Sequence, residues 1–230
     1  MKFTVMCASN NRAHTLPRLF DSIFKAQENF DDFEVILVDD ASTDNTEEIV
    51  KGYSPFRIKY LKQPRKMERV MAFKRAIAES QGDWLLHYGS DDALFPNLLP
   101  YLSFWIDKNP DYKMFNFGCV CVDKYNHRMT HSMGTSFPAL PDGSGHPEIQ
   151  SGKVAAGTFT WHRSINDQIE LPDVMDCYSF ADKAGIPGYS RSTKTLGNPW
   201  GEDFFIFYKL TRKNVCLHIA NLLGAVIYVR

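Results

Sequence analysis

No block of like charge runs through this chain. Its 26 Lys and Arg are spread along the sequence against 27 Asp and Glu, for a formal net charge of −1. That balance argues against a nucleic-acid partner and against an acidic disordered tail. Long apolar runs are also missing. The N-terminal run stops at Asn10-Asn11-Arg12, too early for a secretory h-region. The most apolar late stretch, Leu217 to Val229, carries His218 and Asn221 and falls well short of the ~20 residues a membrane helix needs. Cysteine is sparse. The five residues Cys7, Cys119, Cys121, Cys177 and Cys216 form no C-x-x-C pair, so neither a disulfide framework nor a zinc knuckle is expected. They read as buried thiols of a reducing compartment, with Cys119 and Cys121 on one strand face. His127, His131 and His146 fit no zinc spacing. There is no internal repeat, low-complexity tract or linker. A cytoplasmic protein is expected, with a peripheral place at the inner membrane face left open. The 44% hydrophobic and 13% aromatic content of 230 residues is enough for a sizeable core.

What is present is a rhythm of strands and helices. Phe3 to Ala8, Phe33 to Val38, Ile58 to Leu61 and Trp84 to Tyr88 read as buried strands. Thr15 to Ala26, Thr46 to Lys51, Glu68 to Ser80 and Asn97 to Lys108 read as the helices between and after them. Alternation of this kind predicts an α/β fold with a mostly parallel central sheet flanked by helices. The second half is less regular. Tyr112 to Val122 and Thr158 to Trp161 read as strand, Glu202 to Leu210 as helix, and Thr135 to Gly157 as a long loop. Asp173 to Asn198 shows weak periodicity and turn signals. Trp84 and Trp105 fall on apolar faces and are expected in the core.

Ligands of parallel sheets bind at the carboxyl ends of the strands. Three polar clusters stand at three such ends: Ser9-Asn10-Asn11-Arg12, Asp39-Asp40 and Ser90-Asp91-Asp92. If the strands are neighbours, the clusters share one crevice. Asp39-Asp40 reads either as a pair capping the next turn through Ser42 and Asp44, or as a carboxylate for a nucleotide base or ribose. Asp91-Asp92 reads either as a solvated acidic turn or as oxygen ligands for a divalent cation, which is typically held by one or two carboxylates plus substrate phosphates. A third acidic pair, Glu202-Asp203, opens a helix after a Gly-rich approach. The helix dipole alone favours acids there. The functional alternative is a general base acting on an attacking hydroxyl. Trp161 either presents its aromatic face for stacking or packs in the core.

Four stretches, "MCASNNRAHTLPRLFDSI", "FEVILVDDASTDNT", "GDWLLHYGSDDALFPN" and "WGEDFFIFYKL", resemble in order the inverting glycosyltransferases of family 2. The resemblance is dense over Phe3 to Leu99 and returns at Gly201 to Leu210. It implies a single domain of the GT-A, or nucleotide-diphospho-sugar transferase, fold over 1–230. Residues 1–110 would be the nucleotide-sugar half and 111–230 the acceptor half. Ser9 and Asn11 would line the base pocket. Asp40, with Asp39, would contact base or ribose, and Asp91 would lie near ribose and sugar. Asp92 would ligate Mn²⁺ or Mg²⁺, and Asp203 would be the base. The donor would be a nucleotide-sugar, UDP-linked by preference. The acceptor would be a glycan, lipid-linked or other hydroxyl.

The departures are specific. The family often has Pro-Thr-Tyr-Asn-Arg at the first loop, where this chain has Ala8-Ser9-Asn10-Asn11-Arg12, so Asn10 replaces an aromatic. Gly89 replaces the first Asp of an Asp-Ser-Asp-Asp loop. Phe73 stands where an Arg is common, which leaves Arg69, Arg65 or Lys74 to meet phosphate. Relatives commonly continue past "VIYVR" into an Arg-x-His segment, so a C-terminally shortened acceptor half is expected. Two other functions compete. A degenerate GT-A module would bind nucleotide or glycan without turnover. A sugar-phosphate nucleotidyltransferase would need a Gly-rich, Arg- and Lys-bearing loop directly after the first strand, and Ser9 to Arg12 is not one.

Overall fold

The computed structural model describes residues 1–25, 27, 30–53, 58–67, 69–122, 128–132, 158–171 and 202–228. In chain order the elements are β1 (Phe3–Ser9), α1 (Leu16–Phe24), β2 (Phe33–Asp39), α2 (Thr46–Gly52), β3 (Ile58–Lys62), α3 (Arg69–Glu79) and β4 (Trp84–Gly89). There follow β5 (Ala93–Leu94), α4 (Leu98–Lys108), β6 (Met114–Val122), β7 (Arg128–Ser132), β8 (Phe159–His162), a 3₁₀ helix (Arg163–Gln168), α5 (Glu202–Thr211) and β9 (Cys216–Tyr228). The expected long loop Thr135 to Gly157 and the segment Asp173 to Asn198 lie outside the described residues.

One sheet runs in the order β3-β2-β1-β4-β8-β6-β9-β5, with β7 pairing the end of β6 on the edge whose start pairs β8. Strands β1 to β4 pair in parallel, as the alternation with helices requires. Beyond β4 the sheet is mixed: β8 is antiparallel to β4 and β6, and β9 is parallel to β6. Strands from both halves of the chain thus lie in one sheet.

The central strands are apolar on both faces, as strands covered on both sides must be. Alternate residues of β1 feed two cores. Phe3, Val5 and Cys7 pack with Leu16, Leu19, Phe20 and Ile23 of α1 and Leu98, Leu102 and Ile106 of α4. Met6 packs with Ala72, Phe73 and Ala76 of α3 and Ile206, Phe207 and Leu210 of α5. Pro17 falls in the first turn of α1, where the absent N–H costs no helical bond. Gly82 lets the chain pass close beneath β1: a Cβ there would stand 2.5 Å from the backbone of Phe3 and Thr4.

One expectation changes, one pair of alternatives is decided, and one stretch left without an element in the sequence gains one. Trp84 is buried in the core, but Trp105 is 39% exposed. α4 buries the face carrying Leu98, Leu99, Leu102 and Ile106, while Tyr101, Phe104 and Trp105 face outward. An apolar residue type suggests an inward position, but the helical phase places it outside. Trp161 is fully buried; it stacks on Phe159 and donates through Nε1 to Asn166 Oδ1 at 2.8 Å. It is a core residue and offers no face to a sugar. Finally, the late apolar stretch is the 13-residue strand β9. Its pairing with β6 shifts register between Asn116 and Cys119, and such irregularity breaks the two-residue alternation by which strands are read. No helix among the described residues is long and apolar enough to cross a membrane.

Candidate active site

The chain leaves β1 toward β2 and β3, then returns to place β4 on the other side of β1. The carboxyl ends of β1 and β4 therefore flank a topological switch point, where loops diverge and open a crevice. Ser9 lies beside Asp39, and Ala8 beside Gly89. The three polar clusters do meet at one place.

The loop after β2 is built by its own side chains. Asp39 is fully buried. Its Oδ1 accepts from the Ser42 N–H at 2.9 Å and its Oδ2 from the Tyr60 hydroxyl at 2.5 Å. Burial first, then the Asp39 carboxylate, push the Tyr60 hydroxyl well above its usual range. Asn11, in the left-handed region with φ 53, accepts at Oδ1 from the N–H groups of Thr43 at 2.8 Å and Asp44 at 3.3 Å. Its own N–H donates to Ser42 Oγ at 2.9 Å. Asp44 accepts from Thr46 Oγ1 at 2.6 Å and from the Ala13 N–H at 3.0 Å. Asp39 and Asn11 thus hold the loops after β1 and β2 in place; both Asp39 oxygens and the Asn11 carbonyl are bonded within the protein.

Asp40 is nearly buried, with Oδ1 accepting from the Met67 N–H at 2.7 Å and from Gln63 Nε2 at 3.1 Å. It ties the approach to α3 to the crevice. Asn10 donates from Nδ2 to the Asp40 carbonyl at 2.7 Å. Among the described residues the buried Ser9 hydroxyl has no hydrogen-bond partner, an unpaired polar group at the end of β1. Arg69 is exposed at the first position of α3. His87, buried in β4 with its ring edge-on to Phe73 at 4.0 Å, is held neutral by burial and then by the Arg69 charge.

At the end of β4 the carboxylates fold back over Gly89. A Cβ on Gly89 would meet Asp92 Oδ2 at 2.6 Å and Asp91 Oδ1 at 3.1 Å. Asp92 is 7% exposed and Asp91 partly buried. Their negative field reaches the protein beneath: burial and then both aspartates raise the Cys7 thiol, and burial and then Asp92 raise the Tyr88 hydroxyl. Among the described residues no three His, Cys, Asp or Glu side chains cluster around a metal position. A chelating cage is therefore not what the turn provides. Two oxygen donors in a negative pocket fit a hard divalent cation that takes its remaining ligands from water and substrate phosphates.

Asp203 occupies the first turn of α5, which packs through Ile206, Phe207 and Leu210 on the α3 side of the sheet. The Asp203 side chain lies outside the described residues. Sequence reasoning missed Tyr60 and Gln63, which come from β3 and just after it and secure the two aspartates. It also missed Arg18 and Tyr228, which touch the Asp91-Asp92 turn. A charged residue within amphipathic α1 is the one signal that marked Arg18.

Comparison with known proteins decides the family. The model of Glycosyl transferase family 2 matches residues 4–169. This chain belongs to glycosyl transferase family 2. It is 24% identical over 200 residues to EpsE of Bacillus subtilis (strain 168), covering 82% of this chain and 69% of that protein. The crystal structure of S. aureus TarS 1-349 in complex with UDP-GlcNAc superposes with a TM-score of 0.70 at 18% identity, over 100% of this chain and 59% of the other. The mannosyltransferase PcManGT from Pyrobaculum calidifontis, in complex with GDP-Man and Mn²⁺, superposes with a TM-score of 0.63 at 14% identity, over 98% and 56%. At these identities the structural likeness speaks for the GT-A fold. The family 2 member described here spans about three fifths of those solved chains.

Proposed function

We propose that this family 2 chain transfers a sugar from a nucleotide-diphosphate donor, UDP-linked by preference, to an acceptor hydroxyl, with inversion and with Mn²⁺ or Mg²⁺. One observation carries the reading: Ser9, Asp40 and the Asp91-Asp92 turn share the switch-point crevice, with a hydroxyl that has no partner among the described residues and a two-carboxylate turn. Support comes also from relatives of the same fold solved with UDP-GlcNAc and with GDP-Man and Mn²⁺.

In this reading Asp40 and Ser9 meet the base or ribose, and Asp91 the ribose and sugar. Asp39 and Asn11 shape the pocket from behind, because both Asp39 oxygens and the Asn11 side-chain carbonyl are spent on Ser42, Tyr60, Thr43 and Asp44. Asn10, where relatives carry an aromatic, uses its amide on the Asp40 carbonyl, so the base is held without an aromatic stack from that position. Arg69, at the exposed start of α3, meets the diphosphate. Asp92, with substrate phosphates, would hold the cation, which supplies Lewis-acid stabilisation of the leaving diphosphate. Asp203 takes the proton from the acceptor hydroxyl as it attacks the anomeric carbon opposite the nucleotide.

Calorimetric titration of UDP with and without Mn²⁺, on wild type and Asp92→Ala, tests this. Mn²⁺ is expected to tighten UDP binding, and the substitution to abolish that gain. Failure of UDP, GDP, dTDP and CDP alike to bind would refute the donor site.

A further inference from the structure

The Asp91-Asp92 turn does not hold itself. It is gripped from below by one face of α1 and from the side by the end of β9. Thr15, Arg18 and Ser22 are spaced three and four residues apart, which places them on one helical stripe. They meet the segment after β4 in the same order. Thr15 Oγ1 donates to the Ser90 carbonyl at 2.7 Å, an Arg18 Nη2 donates to the Asp91 carbonyl, and the Leu94 N–H donates to Ser22 Oγ at 2.9 Å. Gln27 continues the grip, donating to the Phe95 carbonyl at 3.1 Å.

Arg18 does more than its neighbours. Its guanidinium lies over the Tyr228 ring, 3.4 Å from the centroid. The Tyr228 N–H in turn reaches Asp92 Oδ1 at 3.4 Å. One cation therefore bonds the backbone of Asp91 and, through the tyrosine it stacks on, buttresses the strand end that touches Asp92. The Arg18 Nε is buried with no hydrogen-bond partner among the described residues. A buried donor left unsatisfied costs free energy. The fork is thus placed for the Asp91 carbonyl and the ring at the expense of its own full satisfaction. A guanidinium suits this role because it is planar, always charged and able to stack and donate at once.

We propose that Arg18 and Tyr228 are positioning residues, which fix the Asp91-Asp92 turn in the geometry that receives the divalent cation and diphosphate. The proposal rests on the reading of that turn given above. Deleting Arg18 frees the turn to move while leaving both carboxylates in the chain.

The test is calorimetric titration of UDP, with GDP as the substitute if wild type ignores UDP, with and without Mn²⁺. Thermal melting of each unliganded variant runs alongside. Arg18→Ala and Tyr228→Leu are expected to lose tenfold or more of the Mn²⁺-dependent gain in affinity, with a smaller loss of metal-free nucleotide affinity from the Asp91 contact to ribose. Tyr228→Phe keeps the ring and is expected to restore the gain; Arg18→Lys keeps the charge but not the planar stack and is expected to fall short. If Arg18→Ala fails to fold, Tyr228→Leu carries the test. An undiminished Mn²⁺ gain in a folded Arg18→Ala or Tyr228→Leu overturns the positioning role and leaves the metal site standing. No Mn²⁺ gain in wild type overturns the metal reading itself, and the positioning role with it.

Discussion

Gly89→Ala should separate stability from the proposed metal binding at one atom. The new Cβ would stand 2.6 Å from Asp92 Oδ2. Ordinary contact begins at 3.4 Å, so the oxygen must retreat by about 0.8 Å. The obstacle is the end of a side chain and not backbone, so Asp92 can yield by rotating. An off-rotamer displacement of that kind costs about 0.5–1.5 kcal/mol. At roughly 2–4 °C per kcal/mol for a chain of this size, the melting temperature should fall by only a few degrees. The cation is less forgiving. Its bonds to oxygen are about 2.0–2.1 Å for Mg²⁺ and tolerate little error, and a misplacement near 1 Å can cost about 100-fold at a reacting centre. The Mn²⁺-dependent gain in UDP affinity should therefore drop about 10- to 100-fold, or about 1.4–2.7 kcal/mol. Calorimetry with and without Mn²⁺, beside a thermal melt, reads both quantities. Retention of the full Mn²⁺ gain would show that the position of Asp92 is not what the cation needs. A loss of more than about 3 kcal/mol of stability would show instead that the carboxylates cannot give way, against the reasoning above.

Other substitutions probe other links. Gly82→Ala drives a Cβ to 2.5 Å from the backbone of Phe3 and Thr4, atoms that cannot rotate aside, and should cost about 1–3 kcal/mol or more on thermal or urea melting. Asp203→Asn should lower sugar transfer by about 10²–10⁴-fold while calorimetry finds UDP affinity unchanged; comparable turnover would remove it as the base. Stability should also fall with acid. Buried His87 is held below its ordinary 6.5, so the unfolded chain takes up its proton first as pH drops. That contribution is whole above 6.5 and is lost as pH falls toward the folded value. His162 and His218 are lowered in the same sense, so His87→Leu should flatten, but not erase, the decline in melting temperature between pH 6.5 and 5; an unchanged slope would absolve His87.

Sequence by itself determined the elements whose physics is local. Leu16, Leu19, Phe20 and Ile23 recur at helical spacing, and the helix forms over Leu16–Phe24. The apolar run Phe33 to Val38 ends at a charged pair, and the strand ends at Asp39. The carboxylates were visible because strands that stop at polar residues mark the edge of a parallel sheet. Strand β9 and the outward phase of Trp105 were not visible, because each depends on what packs against it. Nor could sequence say which polar residue serves the fold and which faces the crevice. Asp39 and Asp40 are adjacent and chemically identical. Alternation along the chain turns Asp39 to Tyr60 and Ser42, while Asp40 reaches Gln63 and Met67 at the crevice's rim. The hold of Arg18 and Tyr228 on the Asp91-Asp92 turn joins residues more than two hundred positions apart. Only closure of the sheet brings them together, since non-local contacts are chosen by packing and not by sequence spacing.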